Sequence, residues 1–291
     1  MKSELNLEHW QHHEVTVRGV KFHYVEAGAG EGRPLVLLLH GFPEFWYSWR
    51  HQIPALAEAG FHVIALDMRG YNLTDKSQGV NHYHIEHLTD DVEALIHEWG
   101  YQQAILIGHD WGGIVAWYTA MRHPACISQL IILNAPHPAA MRRELWRVKQ
   151  LFRSWYIWLF QLPMIAEAIL RFARYAALRR LLKPIGLSDD EMQKYVQAWQ
   201  QPGALTGMLN YYRAIFRRWI NGNLNQLTQV VEIPTLLIWG ENDPALGLRL
   251  TEGLEQWIPN LQIKRLPQIG HFVQNQAPQL VNELMLSFLR S

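Results

Sequence analysis

"LIGHDWGG", residues 106–113, is the stretch whose reading decides the fold. An apolar strand runs straight into a small-x-Asp-x-small pattern, the mark of a nucleophile elbow, a tight strand-to-helix turn that projects its central side chain. Gly108 and Gly112 carry no Cβ, so the strand and helix backbones can close around a strained residue between them. The projected side chain belongs to Asp110, the candidate nucleophile. Its neighbour His109 is expected to point away from the cleft and pack.

Outward from the elbow, short apolar runs recur: "PLVLLLHG" (34–41), "FHVIALD" (61–67), "AILIGHD" (104–110), "LIILNAP" (130–136) and "TLLIWGEND" (235–243). They are too short for core helices and do not alternate, so they read as strands buried on both faces of a parallel sheet. Between them lie helical patterns such as 84–99, where Ile85, Leu88, Val92, Leu95, Ile96 and Trp99 share one face. Strand and helix in alternation make an α/β chain. Ahead of them, "EVTVRGVKFHYVEAG" reads as an antiparallel hairpin turning at Arg18-Gly19.

The alternation stops at "NAPHPAAM" and resumes at "VEIPTLLIWG". Residues 138–229 read as an all-helical insertion, a lid over the sheet edge where open α/β folds place their sites. The expected organisation is a core of 1–137, a helical cap domain of 138–229 and the rest of the core in 230–291. The insertion is basic: Arg142, Arg143, Arg147, Lys149, Arg153, Arg171, Arg174, Arg179, Arg180 and Lys183 outnumber its acids up to that point. A solvated helical face is the plainer account of these cations, and contact with a membrane surface is the other. The aromatic stretch "SWYIWLFQLP" within it is far too short to span a bilayer.

A chain of 291 residues suits one α/β domain with an insertion. Formal net charge is +0, which leaves no whole-chain electrostatic footprint for nucleic acid. The single cysteine, Cys126, excludes an internal disulfide framework and fits a reducing compartment. The first thirty residues lack the apolar core of a signal peptide, and no run approaches the roughly twenty apolar residues of a spanning helix. A cytoplasmic protein is therefore expected, with no metal or organic cofactor implied and a homodimer compatible with the sequence.

Folds with such an elbow supply the other catalytic groups in the chain order nucleophile, acid, histidine. Asp243 follows the strand "TLLIW" in "GENDP", with Glu241 two residues away as the alternative acid, and His271 lies in "QIGHF" after a later strand-like run. "LLLHGFPEFW" follows the first long buried strand, where this kind of fold aims a backbone N–H at the nucleophile; the second donor is the residue after the nucleophile. The oxyanion donors would be the amides of Phe42 and Trp111. His40 is expected to orient that loop, and the Pro43 ring to fix it.

A serine that opened an epoxide or displaced a halide would end as an ether that activated water cannot cleave. A carboxylate ends as an ester, whose carbonyl belongs to Asp110 and is open to water activated by His271 and Asp243. An aspartate elbow thus points to attack on an electrophilic sp³ carbon. A halide leaves as an anion held by indole N–H donors, whereas an epoxide oxygen needs a proton from an acid still protonated at neutral pH, which tyrosine supplies. Tyr156, Tyr175, Tyr195, Tyr211 and Tyr212 in the lid are the candidates.

Taken together, "HGFPEFWYSWR", "ALDMRGY", "GHDWGG", "GENDP" and "GHF" resemble the α/β-hydrolase-fold epoxide hydrolases over nearly the whole chain. The resemblance implies a mostly parallel sheet flanked by helices with an inserted cap, and it selects two lid phenols. Tyr156 in "YIWLFQLP" matches the first, with Leu159 where the family has an aromatic residue; Tyr212 in "NYYR" matches the second, leaving Tyr211 to pack. Phe42, Trp111, Tyr156 and Tyr212 would then line the substrate site. "QQPGAL" is similar to a lid segment of family members and implies an apolar epoxide as the small-molecule partner, with water as co-substrate. Asn72 replaces the family's glycine after "RGY", a change that asparagine accommodates because it tolerates positive φ. Haloalkane dehalogenases use the same first step and also carry a tryptophan after the nucleophile, but the asparagine that often follows their His-Gly pair is Phe42 here. A ligand-binding receptor on this fold would have lost a catalytic residue; nucleophile, acid and base are all present.

Overall fold

The computed structural model describes residues 10–145, 155–220 and 229–290. The apolar runs assemble into one eight-stranded sheet: β1 (Gln11–Val17), β2 (Val20–Ala27), β3 (Leu35–Leu39), β4 (His62–Leu66), β5 (Ala104–His109), β6 (Ile127–Leu133), β7 (Thr235–Gly240) and β8 (Leu261–Leu266). Their spatial order is β1-β2-β4-β3-β5-β6-β7-β8. β2 pairs antiparallel with both β1 and β4, and every pairing from β4 to β8 is parallel. The hairpin turns at Arg18 and Gly19 with φ of 53° and 74°, positive at both positions as a two-residue turn between twisted strands requires.

Every residue of β3, β4, β5 and β7 is buried, while the edge strands β1 and β8 keep most positions open to solvent. Helices covering both faces explain why the central runs read as continuous rather than alternating. These helices include α1 (Gln52–Glu58), α2 (Ile85–Glu98) and α3 (Trp111–Arg122). α2 buries Ile85, Leu88, Val92, Leu95 and Ile96, the face expected from its period, and Trp99 lies just past its end. α3 starts at the centre of the sheet and is enclosed nearly all round, with Val115, Ala116, Trp117 and Ala120 in the core.

After β6 come α4 (Pro138–Leu145), α5 (Trp155–Phe160), α6 (Ile165–Leu182), α7 (Asp189–Gln200) and α8 (Ala204–Ile220). The described residues between β6 and β7 contain no strand. Arg147, Lys149, Arg153 and Ser154 lie outside the described residues. α6 is kinked at 172–175. α7 opens with a reciprocal cap: Ser188 Oγ accepts the Glu191 N–H at 3.2 Å, and Glu191 Oε2 accepts the Ser188 N–H at 2.9 Å. The Trp199 indole of α7 donates to the Pro43 carbonyl at 2.7 Å, and the Tyr211 hydroxyl of α8 donates to the Arg69 carbonyl at 2.8 Å. Two helices of the insertion are thereby joined to loops leaving β3 and β4. The chain ends with α9 (Val273–Gln276) and α10 (Pro278–Leu289).

β3 lies between β4 and β5, so the chain departs to opposite sides of it, the switch point at which open α/β sheets bind ligands. The register pairs Leu39 with Gly108 and Gly240 with Leu266. The loops that follow β3, β5, β7 and β8 consequently open on the same edge of the sheet.

Candidate active site

Asp110 occupies the turn between β5 and α3 with φ 51° and ψ −119°, a conformation that non-glycine residues adopt only under constraint. The constraint comes from close backbone approach: a Cβ on Gly112 would sit 2.1 Å from the Leu39 carbonyl oxygen, and one on Gly108 would sit 2.5 Å from that of Gly112. Neither position admits another residue without moving the sheet. The elbow expected from the sequence is therefore present, with the carboxylate at its apex.

The loop after β3 reaches over this carboxylate, and the Phe42 N–H donates to Asp110 Oδ1 at 2.7 Å. Trp111 opens α3, so its N–H belongs to the first turn, whose donors have no acceptor within the helix and favour negative charge. The Phe42-Pro43 peptide bond is cis. His40 is buried, and its Nε2 accepts the Met68 N–H at 3.1 Å, a bond that ties the loop after β3 to the end of β4.

Asp243 and His271 follow β7 and β8. His271 Nδ1 donates to Asp243 Oδ2 at 2.6 Å, and its Nε2 faces Asp110 Oδ2 at 3.5 Å. The other Asp243 oxygen accepts the N–H groups of Ala245 and Leu246 at 2.8 and 2.9 Å. Asn134 Nδ2 adds a further donor to Oδ2 at 2.8 Å, while its Oδ1 accepts the Gly240 N–H. Glu241 makes no bond to His271 among the described residues; its N–H joins the Leu266 carbonyl. Asp243 is thus the acid that meets the histidine.

The charges respond to this packing. Burial opposes ionisation of Asp110, but the hydrogen bond and charge of His271, the charge of His109 and the Phe42 N–H outweigh it, and the carboxyl lies below its ordinary value. Burial likewise opposes the charge on Asp243, and the charge and hydrogen bond of His271 with the Asn134 and Leu246 donors again prevail. For His271 burial favours the neutral ring, yet Asp243 and Asp110 together raise it well above 6.5. Both carboxylates therefore favour the charged form of the ring between them.

Over Asp110 stands a cluster of rings. Tyr212 packs edge-on against Phe42 at 5.5 Å, Trp111 at 4.9 Å and Phe160 at 5.0 Å between centroids, and Tyr156 lies 6.0 Å from Tyr212. Both phenols sit close enough to Asp110 to feel its charge. Burial first, and the Asp110 carboxylate second, push each above the usual phenolic value. The other lid tyrosines go elsewhere: Tyr195 packs on Phe45, Tyr175 on Trp199, and Tyr211 bonds Arg69.

His109 packs, as expected, against His271 and Phe272. It is fully buried, but it does more than pack: Nε2 donates to the His271 carbonyl at 3.0 Å, and Nδ1 meets Glu44 Oε2 at 2.8 Å. Ser48, Gln274 and Asn275 also donate to Glu44. Asn134 and Glu44 are hydrogen-bonding neighbours of the site that the sequence did not single out. The available signals were a glutamate inside the "HGFPE" run and an asparagine directly after a buried strand, which adopts a φ of 38°.

No group of three or more histidine, cysteine, aspartate or glutamate side chains suited to a metal occurs among the described residues. No helix among them is long and apolar enough to cross a membrane.

Comparison with known proteins agrees with this architecture. A family model described as alpha/beta hydrolase fold matches residues 34–278. The AB hydrolase superfamily protein YfhM of Bacillus subtilis (strain 168) is 42% identical over 285 residues, spanning 95% of this chain and 97% of its own length. Epoxide hydrolase 4 of Mus musculus is 38% identical over 283 residues, 94% of this chain and 77% of that protein. Among solved structures, the Bacillus megaterium epoxide hydrolase in complex with an inhibitor superposes with a TM-score of 0.88 at 35% identity, covering 96% of this chain and 100% of that one. A variant of that Bacillus megaterium enzyme complexed with its product (R)-3-[1]naphthyloxy-propane-1,2-diol gives 0.89 at 34% identity, with the same coverage.

Proposed function

The chain belongs to the α/β-hydrolase fold family, and we propose that it hydrolyses an apolar epoxide to a vicinal diol through an ester formed on Asp110. One observation carries this reading: an aspartate at the elbow lies beneath two lid phenols, the buried Tyr212 packed on Phe42 and Trp111 and the half-buried Tyr156 beside it. Nucleophile and proton donor for ring opening are then on opposite walls of one cleft. The helical insertion, residues 138–229, acts as the cap that carries both phenols. The names of similar proteins, and the diol bound to one of them, support the assignment.

The hydrogen bonds distinguish the two oxygens of Asp110. Oδ1 is held by the Phe42 N–H, so it becomes the ester carbonyl, and Oδ2 is the oxygen that attacks a ring carbon. As the carbon–oxygen bond breaks, the departing oxygen takes a proton from Tyr156 or Tyr212. A phenol is protonated at neutral pH, and the packing around both strengthens that preference until the ring opens.

Esterification removes the negative charge of Asp110, one of the two that hold a proton on His271. That proton can then restore the phenol, which leaves a neutral imidazole oriented by Asp243. His271 Nε2 next takes a proton from water attacking the Asp110 acyl carbon, and the Phe42 and Trp111 amides stabilise the oxyanion on Oδ1. Collapse expels the second alcohol of the diol, protonated by His271, and the regenerated Asp110 acid returns a proton to His271.

The test is a single turnover with enzyme in excess in oxygen-18 water, using a styrene-type epoxide. The first diol should be unlabelled and the label should appear in the Asp110 carboxylate. Label in the first diol would refute the ester. Release of halide from a haloalkane, unaffected by Tyr156→Phe, would move the assignment to dehalogenation.

A further inference from the structure

We propose that the outer face of α5 and α6 docks on an anionic lipid surface. The observation is a concentration of exposed apolar side chains. Of eleven large apolar residues exposed among those described, eight fall between Trp155 and Leu181; the other three, Leu73, Val230 and Leu280, are scattered. Single exposed apolar residues are ordinary on a folded protein, but a contiguous set marks an interaction site.

The helical spacing shows that the exposure is built in. In the first part of α6, Ala166 and Leu170 face inward, while Ile165 and Ile169, at i and i+4, face solvent, and the exposed Phe172 follows where the helix breaks at 172–175. A helix apolar on both sides is normally enclosed by its own protein. Here Met164 is 81% exposed, Phe172 76% and Trp155 62%. α5 divides the same way, with Trp155 and Trp158 exposed, Trp158 edge-on to Phe216, and Phe160 buried against Tyr212.

Charge selects the occupant. Arg171, Arg174, Arg179, Arg180 and Lys183 are all exposed, and none forms an ion pair among the described residues. The only carboxylate from 155 to 183 is Glu167, which is already engaged by Arg213 at 2.8 and 3.0 Å. Asp189 and Asp190 come later, in the first turn of α7. Two copies of this chain meeting through the patch would set cations against cations. A lipid headgroup layer offers negative charge to the basic residues and acyl chains to the apolar ones, with tryptophan suited to the boundary between them. The inference is independent of the chemistry proposed for Asp110.

Co-sedimentation of the full chain with phosphatidylcholine–phosphatidylglycerol vesicles, against phosphatidylcholine alone, tests it. Binding should require the anionic lipid and weaken with added salt. Replacing Arg171, Arg174, Arg179 and Arg180 by glutamine should lower vesicle partitioning at least about tenfold. Ile169→Ser with Phe172→Ser should do the same, and both variants should keep the unmodified chain's melting temperature and helical circular dichroism. Absence of binding to anionic vesicles, or binding indifferent to lipid charge and salt, would overturn the proposal. So would a dimer in sedimentation velocity that Phe172→Ser abolishes, because a second copy would then own the surface.

Discussion

Below, Asp110, Asp243 and His271 are held by hydrogen bonds from the ends of four strands; above them, Tyr156 and Tyr212 are packed among edge-on rings, several of them from the helical insertion. A hydrogen bond to a charged group contributes about 1.5–3 kcal/mol, and an aromatic pair about 0.5–1.5 kcal/mol beyond the area it buries. The floor is therefore fixed in direction, atom by atom, whereas the roof is fixed chiefly in position. That division suits the chemistry proposed for each. Ester formation and hydrolysis need one carboxylate and one imidazole at set angles, while a proton for the opened ring can come from either of two phenols.

The sharpest way to break the comparison is to remove the floor. Asp110→Ala should lower turnover by about 10⁴-fold or more. His271→Gln should stop after one equivalent, leaving a protein whose mass has risen by that of the epoxide, as intact-protein mass spectrometry would show. The roof should yield by degrees. Tyr156→Phe or Tyr212→Phe alone should cost about ten- to a hundredfold in kcat and the pair about a thousandfold or more, with the ester forming slowly rather than persisting. Equal losses from one phenol and from both would show that only one of them delivers the proton.

A third prediction concerns the charge linking the halves of the reaction. His271 is raised above 6.5, so its contribution to stability is complete below that pH and is lost as pH rises through its folded value. Asp110 and Asp243 are lowered from 3.8, so theirs is present above that pH and is lost as pH falls through their folded values. Asp110→Asn removes one carboxylate facing His271, as the ester does. Its imidazole resonances in nuclear magnetic resonance should titrate at lower pH than in the unmodified protein. An unchanged titration would separate the two halves. The smallest expected effect is that of Asn134→Ala, which leaves Asp243 with fewer donors. Stability in denaturant should fall by about 1–3 kcal/mol, and ester hydrolysis should slow more than ester formation in stopped-flow measurements.

How much of this was legible in the sequence follows the same division. The central strands were readable because complete burial writes an uninterrupted apolar run. Asp110, Asp243 and His271 were readable because each sits in a turn whose chemistry is local: a glycine-flanked elbow, a strand end, a Gly-His-Phe loop. Tyr156 and Tyr212 come together only through helix packing, so five lid tyrosines looked equivalent until a resemblance chose between them. Asn134 and Glu44 escaped notice because their partners are remote, Asp243 lying 109 residues from Asn134 and His109 lying 65 from Glu44. For His109, burial was foreseeable and the hydrogen bond to the His271 backbone was not.

The Trp199 indole grips the carbonyl of Pro43, next to the residue whose amide faces the nucleophile. A molecule fastened in this way cannot shed its helices and keep its sheet loops in place: the loop after β3 would lose its anchor in the same event. Heating should accordingly yield a single calorimetric endotherm, with inactivation tracking it degree for degree.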